Sequence, residues 1–413
     1  MNYKLTFQFF ILFFFLISCN RDNIRIGKSH ELGAIPDDIL NVQQKSDPFL
    51  MNLKVDMLDL PGHDDIIFDG KNNIAYASGM DGWIWKLNFR EEKATQWIKT
   101  PVNPAGMQFA NSEKNKILVC ASKLGGESYN ANDRVGLYEI DTKTKTTTPL
   151  IIDLPITVDP EPNFIAKKSN RLKFKLKDLN AQNSRPFALC NDLAVSADGN
   201  RIYLTEPFVR ENASMGSGAV PEAIGLYPHG KLWMYDRKEN SISLMLDGFT
   251  FIDGILLESN NLNVEESVLF TETTKFRIIR AYIAGWKEGD FEVLHENLPG
   301  LADGMERDDK GNIWVGIIKR RSGVMNFLHN NSWLKSFVLS LPQKLLPISK
   351  QTGILALSPD AKKPLYYVMH DGSKITDISV AVPFKDRIYF PSFDKKSKGL
   401  YSMPSPLDSE NSK

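Results

Sequence analysis

Four oxygen-bearing side chains stand at one recurrent place in this sequence: Asp64 in GHDDIIF, Asn191 in CNDLAV, Asp253 in IDGILL and Asp303 in ADGMER, with Asp192 beside Asn191. Each comes just before an apolar, strand-like run. Carboxylates gathered at short range raise one another's pKa unless a cation neutralises them. An all-oxygen set of Asp and Asn suits Ca2+, which takes about six to eight oxygen ligands, waters included, in flexible geometry. No Cys or His recurs with these positions at regular spacing except His63, which disfavours zinc. Asp-Gly and Asn-Asp pairs are also common turn formers, so no single one of them implies a metal. The case rests on four repeats placing oxygen ligands at the equivalent position. The expectation is one Ca2+ held by Asp64, Asn191, Asp253 and Asp303.

The elements that must bring these residues together recur along the chain. A loop, an apolar strand, a turn with Gly or Asn and a second apolar strand appear as GHDDIIFDGKNNIAYAS from Gly62 and PAGMQFANSEKNKILVCAS from Pro104. The unit returns as CNDLAVSADGNRIYLTE from Cys190, IDGILLESNNLNVEESVLFTE from Ile252 and ADGMERDDKGNIWVGI from Ala302, with a degenerate copy, TDISVAVPFKDRIYFPS, from Thr376. Period-two alternation of β-branched and aromatic residues marks them as hairpins, and most continue into a third strand such as GWIWKLNF or KLWMYD. Six copies predict an all-β, six-bladed β-propeller with four-stranded antiparallel blades and short helical insertions. The strand LKVDMLDL from Leu53 precedes the first copy and is expected to complete the last blade, removing an exposed edge. Insertions fall at about 153–186, 207–230 and 320–350; in the last, Trp333, Phe337 and Leu341 with Leu334 and Val338 form an apolar helical stripe. Such a stripe packs a helix onto the propeller face, or else makes a lid over the tunnel mouth or a membrane-touching helix.

The first residues, MNYKLTFQFFILFFFLISCN, hold an apolar run shorter than the ~20 residues that cross a bilayer, followed by Ser18-Cys19. They read as a signal peptide over 1–18, then a tether over 19–47, then the propeller over 48–413. Formal charge is zero, from 50 basic and 50 acidic residues, and predicts no nucleic-acid partner. Cys120 and Cys190 are the other cysteines; a disulfide and two buried thiols are both open readings.

Leu16-Ile17-Ser18-Cys19 resembles the lipobox of bacterial lipoproteins, which implies a lipid-modified Cys19 and a place on the bacterial cell envelope, at the outer membrane or its periplasmic face. TETTKFRIIRAYIAG from Thr271 and ENLPGLADGMERDDKGNIWVGI from Glu296 resemble the strictosidine synthase-like branch of the six-bladed calcium-dependent phosphotriesterase superfamily, which also holds paraoxonases and gluconolactonases. The resemblance covers roughly 55–405 and is most specific from Pro186 to Ile317. It implies one tunnel calcium, with the family's first-blade Glu falling on Asp64, its Asn-Asp pair on Asn191-Asp192, a second Asn on Asp253 and an Asp on Asp303. Asp64 is a methylene shorter than the family's Glu, and Asp253 is charged where the family is usually neutral. The family's condensing branch relies on a Glu near the last hairpin; here the stretch reads ITDISVAVPF, and Asp377 fits only with a gap, so Pictet–Spengler condensation is not expected.

Two classes of function follow. One is a hydrolase of lactones, aryl esters or related esters, in which Asp303 or Asp192 acts as nucleophile or as base toward water. The other is a non-catalytic, metal-stabilised propeller that serves as a binding or scaffold protein.

Overall fold

The computed structural model describes residues 24–408 apart from 159–161, 211, 261 and 347. The expected signal peptide over 1–18 and Cys19 lie outside the described residues.

Six four-stranded antiparallel sheets follow one another along the chain, at 63–99, 103–151, 193–249, 252–295, 300–370 and 382–404, the last needing a strand from elsewhere. They are blades one to six of a β-propeller. The missing strand is Lys54–Pro61, which pairs antiparallel with Lys398–Pro404 and so joins the two ends of the ring, as its apolar alternation before the first repeat predicts. Among the described residues the apolar core forms six wedges, each between neighbouring blades, and two smaller clusters, one of them around Met80, Leu124 and Phe208 at the tunnel end. Tyr76 and Ile84 of blade one meet Met107 and Val119 of blade two, for example, and Trp314 and Val368 of blade five meet Ile388 and Phe390 of blade six. Cys120 and Cys190 form a disulfide across the second wedge.

The expected tether over 19–47 is corrected by the structure from residue 24 onward. Two short helices, α1 (Asp37–Asn41) and α2 (Ser46–Asn52), pack on the ring, burying Ile39 among the residues of wedge four–five and Phe49 against Phe390. Between them Gln43–Gln44 pairs in parallel with the outer strand of blade five, Pro364–His370. A sheet edge left open offers unpaired N–H and C=O groups, and this segment covers it.

The insertions also take shape. Residues 153–186 make a two-stranded ribbon, Asp153–Pro155 with Ser184–Pro186, and add two short strands to the edge of blade three. Helix α3 (Val220–Gly225) lies in the second insertion, and α4 (Gly323–Asn330) and α5 (Ser332–Ser340) in the third. Ser322 caps α4 by accepting from the Met325 N–H. The buried Lys335 of α5 donates to the Gly225 carbonyl of α3, which ties the second and third insertions together over one end of the tunnel.

Candidate functional site

The inner strand of a blade departs from regular pairing where the candidate residues sit. Register shifts fall between His63 and Ile66, Pro104 and Met107, Ile252 and Ile255, and Ala302 and Met305. An extra residue in one strand of a pair re-aims the side chains beside it. Hydroxyls on the second strands take up the N–H groups that this releases: Ser78 accepts from Asp65, Thr205 from Asp192 and Thr271 from Gly254, at 2.8, 2.9 and 2.9 Å. One local device, repeated, thus turns Asp64, Asp253 and Asp303 toward the axis.

All four predicted ligands converge. Asp64, Asn191, Asp253 and Asp303 together line the floor of one cavity of about 920 Å³ at the tunnel end. Asn191 donates from its amide to Asp253, and the Asp253 and Asp303 carboxyls hydrogen-bond each other. Thr273 donates to Asp253 at 3.4 Å and to the Ala302 carbonyl at 2.6 Å. Burial raises the carboxyl pKa of all three aspartates. Asp65 and Asp253 push Asp64 further, and Asp253 and Asp64 push Asp303 well above the usual carboxylate range. Without a cation, then, the cluster must carry protons.

Asp192, the other predicted catalytic residue, lies on a second layer. Its carboxyl accepts the N–H groups of Leu193 (2.8 Å) and, across the blade boundary, Ile255 (3.0 Å). With Asp65, whose carboxyl accepts from Ile66 and Met107, and with Glu306 it lines a void of about 30 Å³ beneath the main cluster. Burial, then Asp65, lifts Glu306 to about 8, and burial lifts Asp65 to about 6. Asp192 is absent from the lining of the large cavity, so it holds the strand that carries Asn191 instead of facing that space.

Three features were read from the sequence only in part or not at all. Thr273 ties Asp253 to the backbone just before Asp303, although only its place within TETTKF marked it. Asp377, in the left-handed region at φ 54°, reaches the cavity wall and pairs with Lys319 at 2.7 Å. Its alignment needs a gap, which hid this. The third feature is the apolar wall, to which Phe208, Phe251, Phe276 and the α4–α5 insertion contribute. Leu334, Phe337, Val338 and Leu341 of the predicted stripe do face the cavity; Trp333, 74% exposed, does not.

Among the described residues no three His, Cys, Asp or Glu side chains form a group that could hold a metal ion by themselves. One of the four candidate donors, Asn191, is an amide. In donor chemistry the cluster fits a hard cation: an amide oxygen and three carboxyls, those of Asp253 and Asp303 buried, with carboxyl pKa values raised in a way that a positive charge among them would reverse.

No known protein-family profile matches the chain. Individual proteins do. The chain is 31% identical over 273 residues to the adipocyte plasma membrane-associated protein of Danio rerio, which covers 65% of this chain and 58% of that one. Against the strictosidine synthase-like protein 13 of Arabidopsis thaliana it is 31% identical over 170 residues, 41% of this chain and 40% of the relative. The chain therefore spans about half the length of the curated relatives it matches. Among solved structures, a gluconolactonase from Xanthomonas campestris superposes with a TM-score of 0.51 over 94% of this chain and all of its own, at 11% identity. A luciferin-regenerating enzyme does so with a TM-score of 0.51 over 86% of this chain and 96% of its own, at 12% identity. At such identities the agreement is one of fold. The chain is thus similar in sequence to the adipocyte plasma membrane-associated and strictosidine synthase-like proteins, and it is built as a six-bladed propeller.

Proposed function

We propose that this protein is a calcium-dependent hydrolase of lactones, aryl esters or related esters, held on the bacterial envelope by a lipid on Cys19. One observation carries the catalytic part: a carboxyl–amide cluster forms the polar floor of a cavity whose walls are otherwise largely apolar. Spaces of this size and polarity suit small amphiphilic ligands. The reaction class of the gluconolactonase whose fold is shared points the same way.

Asp64, Asn191, Asp253 and Asp303 would hold the ion. When bound, Ca2+ supplies a fixed positive charge that polarises a carbonyl or phosphoryl oxygen. The remaining roles belong to the chain. Phe208, Phe251 and Phe276 take the apolar part of the ester and exclude water from it. Asp303, at the cavity floor, accepts a proton from the attacking water. Asp192 keeps the Asn191 strand in place through the Leu193 and Ile255 N–H groups. Asp303 then returns that proton to the leaving oxygen, while Asp377, oriented by Lys319, is a further polar group within the same space.

The test is a panel of lactones and aryl esters assayed with calcium and with chelator, beside calorimetric calcium titration. Asp303→Asn is expected to lower kcat by on the order of a hundredfold or more and to weaken calcium uptake, while Asp198→Asn, at a surface turn, changes neither. Absence of calcium uptake by the intact protein, or hydrolysis indifferent to chelator, overturns the reading. The anchor has its own test: Cys19→Ala should release the protein from the membrane fraction or block processing.

A further inference from the structure

From Gly311 to Ser358 the chain contains no Asp or Glu, whereas Lys319, Arg320, Arg321, Lys335, Lys344 and Lys350 are all basic. In a protein of zero net charge this is a strong local imbalance. The same stretch holds α4 and α5, and it exposes Val324, Phe327, Trp333, Phe337, Leu345 and Ile348. Phe327 and Phe337 belong to the cavity lining and are nonetheless more than half exposed, so they stand on its rim. A cluster of large exposed apolar residues marks a surface meant to be covered.

What covers it is indicated by where the chain arrives. The first described residues run along this insertion: His30 N–H donates to the His329 carbonyl at 2.9 Å, and Leu32 N–H to the Asn330 side chain at 3.3 Å. Ser332 N–H donates to the Ser29 hydroxyl at 3.3 Å, and Arg321 to the Gly33 carbonyl at 2.6 Å. Cys19 is only five residues before Ile24, a reach of at most about 17 Å. An acylated Cys19 would therefore bring the bilayer to the side of the molecule that carries these aromatics and basic residues. Exposed apolar side chains with the exposed Arg320 and Lys350 beside them, in a stretch of sequence that holds no Asp or Glu, match an anionic lipid surface.

We propose that the α4–α5 insertion is a membrane-docking face that sits in the interface of an anionic bilayer and seats the cavity mouth on the lipid, so that ligands enter from the membrane. The proposal takes its orientation from the anchoring part of the reading above and is independent of hydrolysis.

The experiment uses the full acylated chain reconstituted into phosphatidylcholine vesicles with and without phosphatidylglycerol, carrying brominated acyl chains that quench buried tryptophan. Quenching is expected in the anionic vesicles, to be lost in Trp333→Ser and retained in Trp286→Ser, whose indole is also exposed. Phe327→Asp with Phe337→Asp should reduce it severalfold, and neutral vesicles should do the same. Thermal melts check folding, and the conservative Trp333→Phe, which must also lose the quenched signal, serves if the double variant is unstable. Equal quenching in wild type and Trp333→Ser, or none in either, overturns the docking face. So does a purified dimer that Trp333→Asp converts to monomer, which would show that a second copy covers the surface. Cys19→Ala reads the anchor separately: release of that variant from vesicles with Trp333 quenched in the acylated chain supports both, whereas an anchored chain with Trp333 unquenched keeps the anchor and removes the docking face.

Discussion

Gly106 occupies the place where blades one and three carry Asp65 and Asp192, and the next blade explains why. A Cβ there would lie 2.6 Å from Asp192 Oδ1 and 2.9 Å from the Asn191 carbonyl, closer than real contacts allow. Gly106 N–H donates to that same carbonyl at 2.9 Å. Gly106→Ala should therefore push the Asn191–Asp192 strand outward, costing about 1–3 kcal/mol of stability and weakening calcium uptake, both measurable by melts and calorimetry. His329 offers a test away from the cluster. Burial, then the nearby cations Lys335 and His30, lowers its pKa to about 4, against the pull of the Thr274 carbonyl. A folded-state pKa below the unfolded value of 6.5 means that its contribution is present above pH 6.5 and is lost as pH falls toward 4. Urea melts across that window should show a slope of up to about 1.4 kcal/mol per pH unit from this group, absent in His329→Gln. Among single residues the four candidate ligands were legible because a repeat placed them. Thr273 and Asp377 were not, since each acts from a segment outside the repeated position.

At the scale of elements, local periodicity marked what repeats and missed what does not. The blade hairpins and the seam strand Lys54–Pro61 carry alternation over several residues, and register follows from it. Helices α1 and α2, of five and seven residues, are too short for periodicity to show, and each owes its place to one side chain. Phe49→Ala should cost about 3–5 kcal/mol, read by chemical denaturation, although it stands only two residues beyond the expected tether. For α5 the stripe was legible, but its two destinations were not separable: Phe337 and Leu341 meet the cavity while Trp333 points away from it.

For the whole molecule, six wedges in a ring mean that no blade has an independent core. Loss of one interface opens the circle. The Cys120–Cys190 bond reinforces the wedge next to Asn191 and closes a loop with a sequence separation of 70, so the double Cys→Ala variant should lose about 2–4 kcal/mol in denaturant melts. The sequence left this pairing open because two cysteines in apolar strands are equally at home as thiols; only the approach of blades two and three decides it.

The seam has a further consequence in time. Lys54–Pro61 is synthesised more than three hundred residues before its partner, Lys398–Pro404. Until residue 398 is available the early strand has nowhere to pair, and a nascent chain of any lesser length ends in a bare sheet edge. Closure of the ring therefore waits for residue 398, and a product truncated before it is an unzipped circle that proteases and chaperones can tell from the closed one.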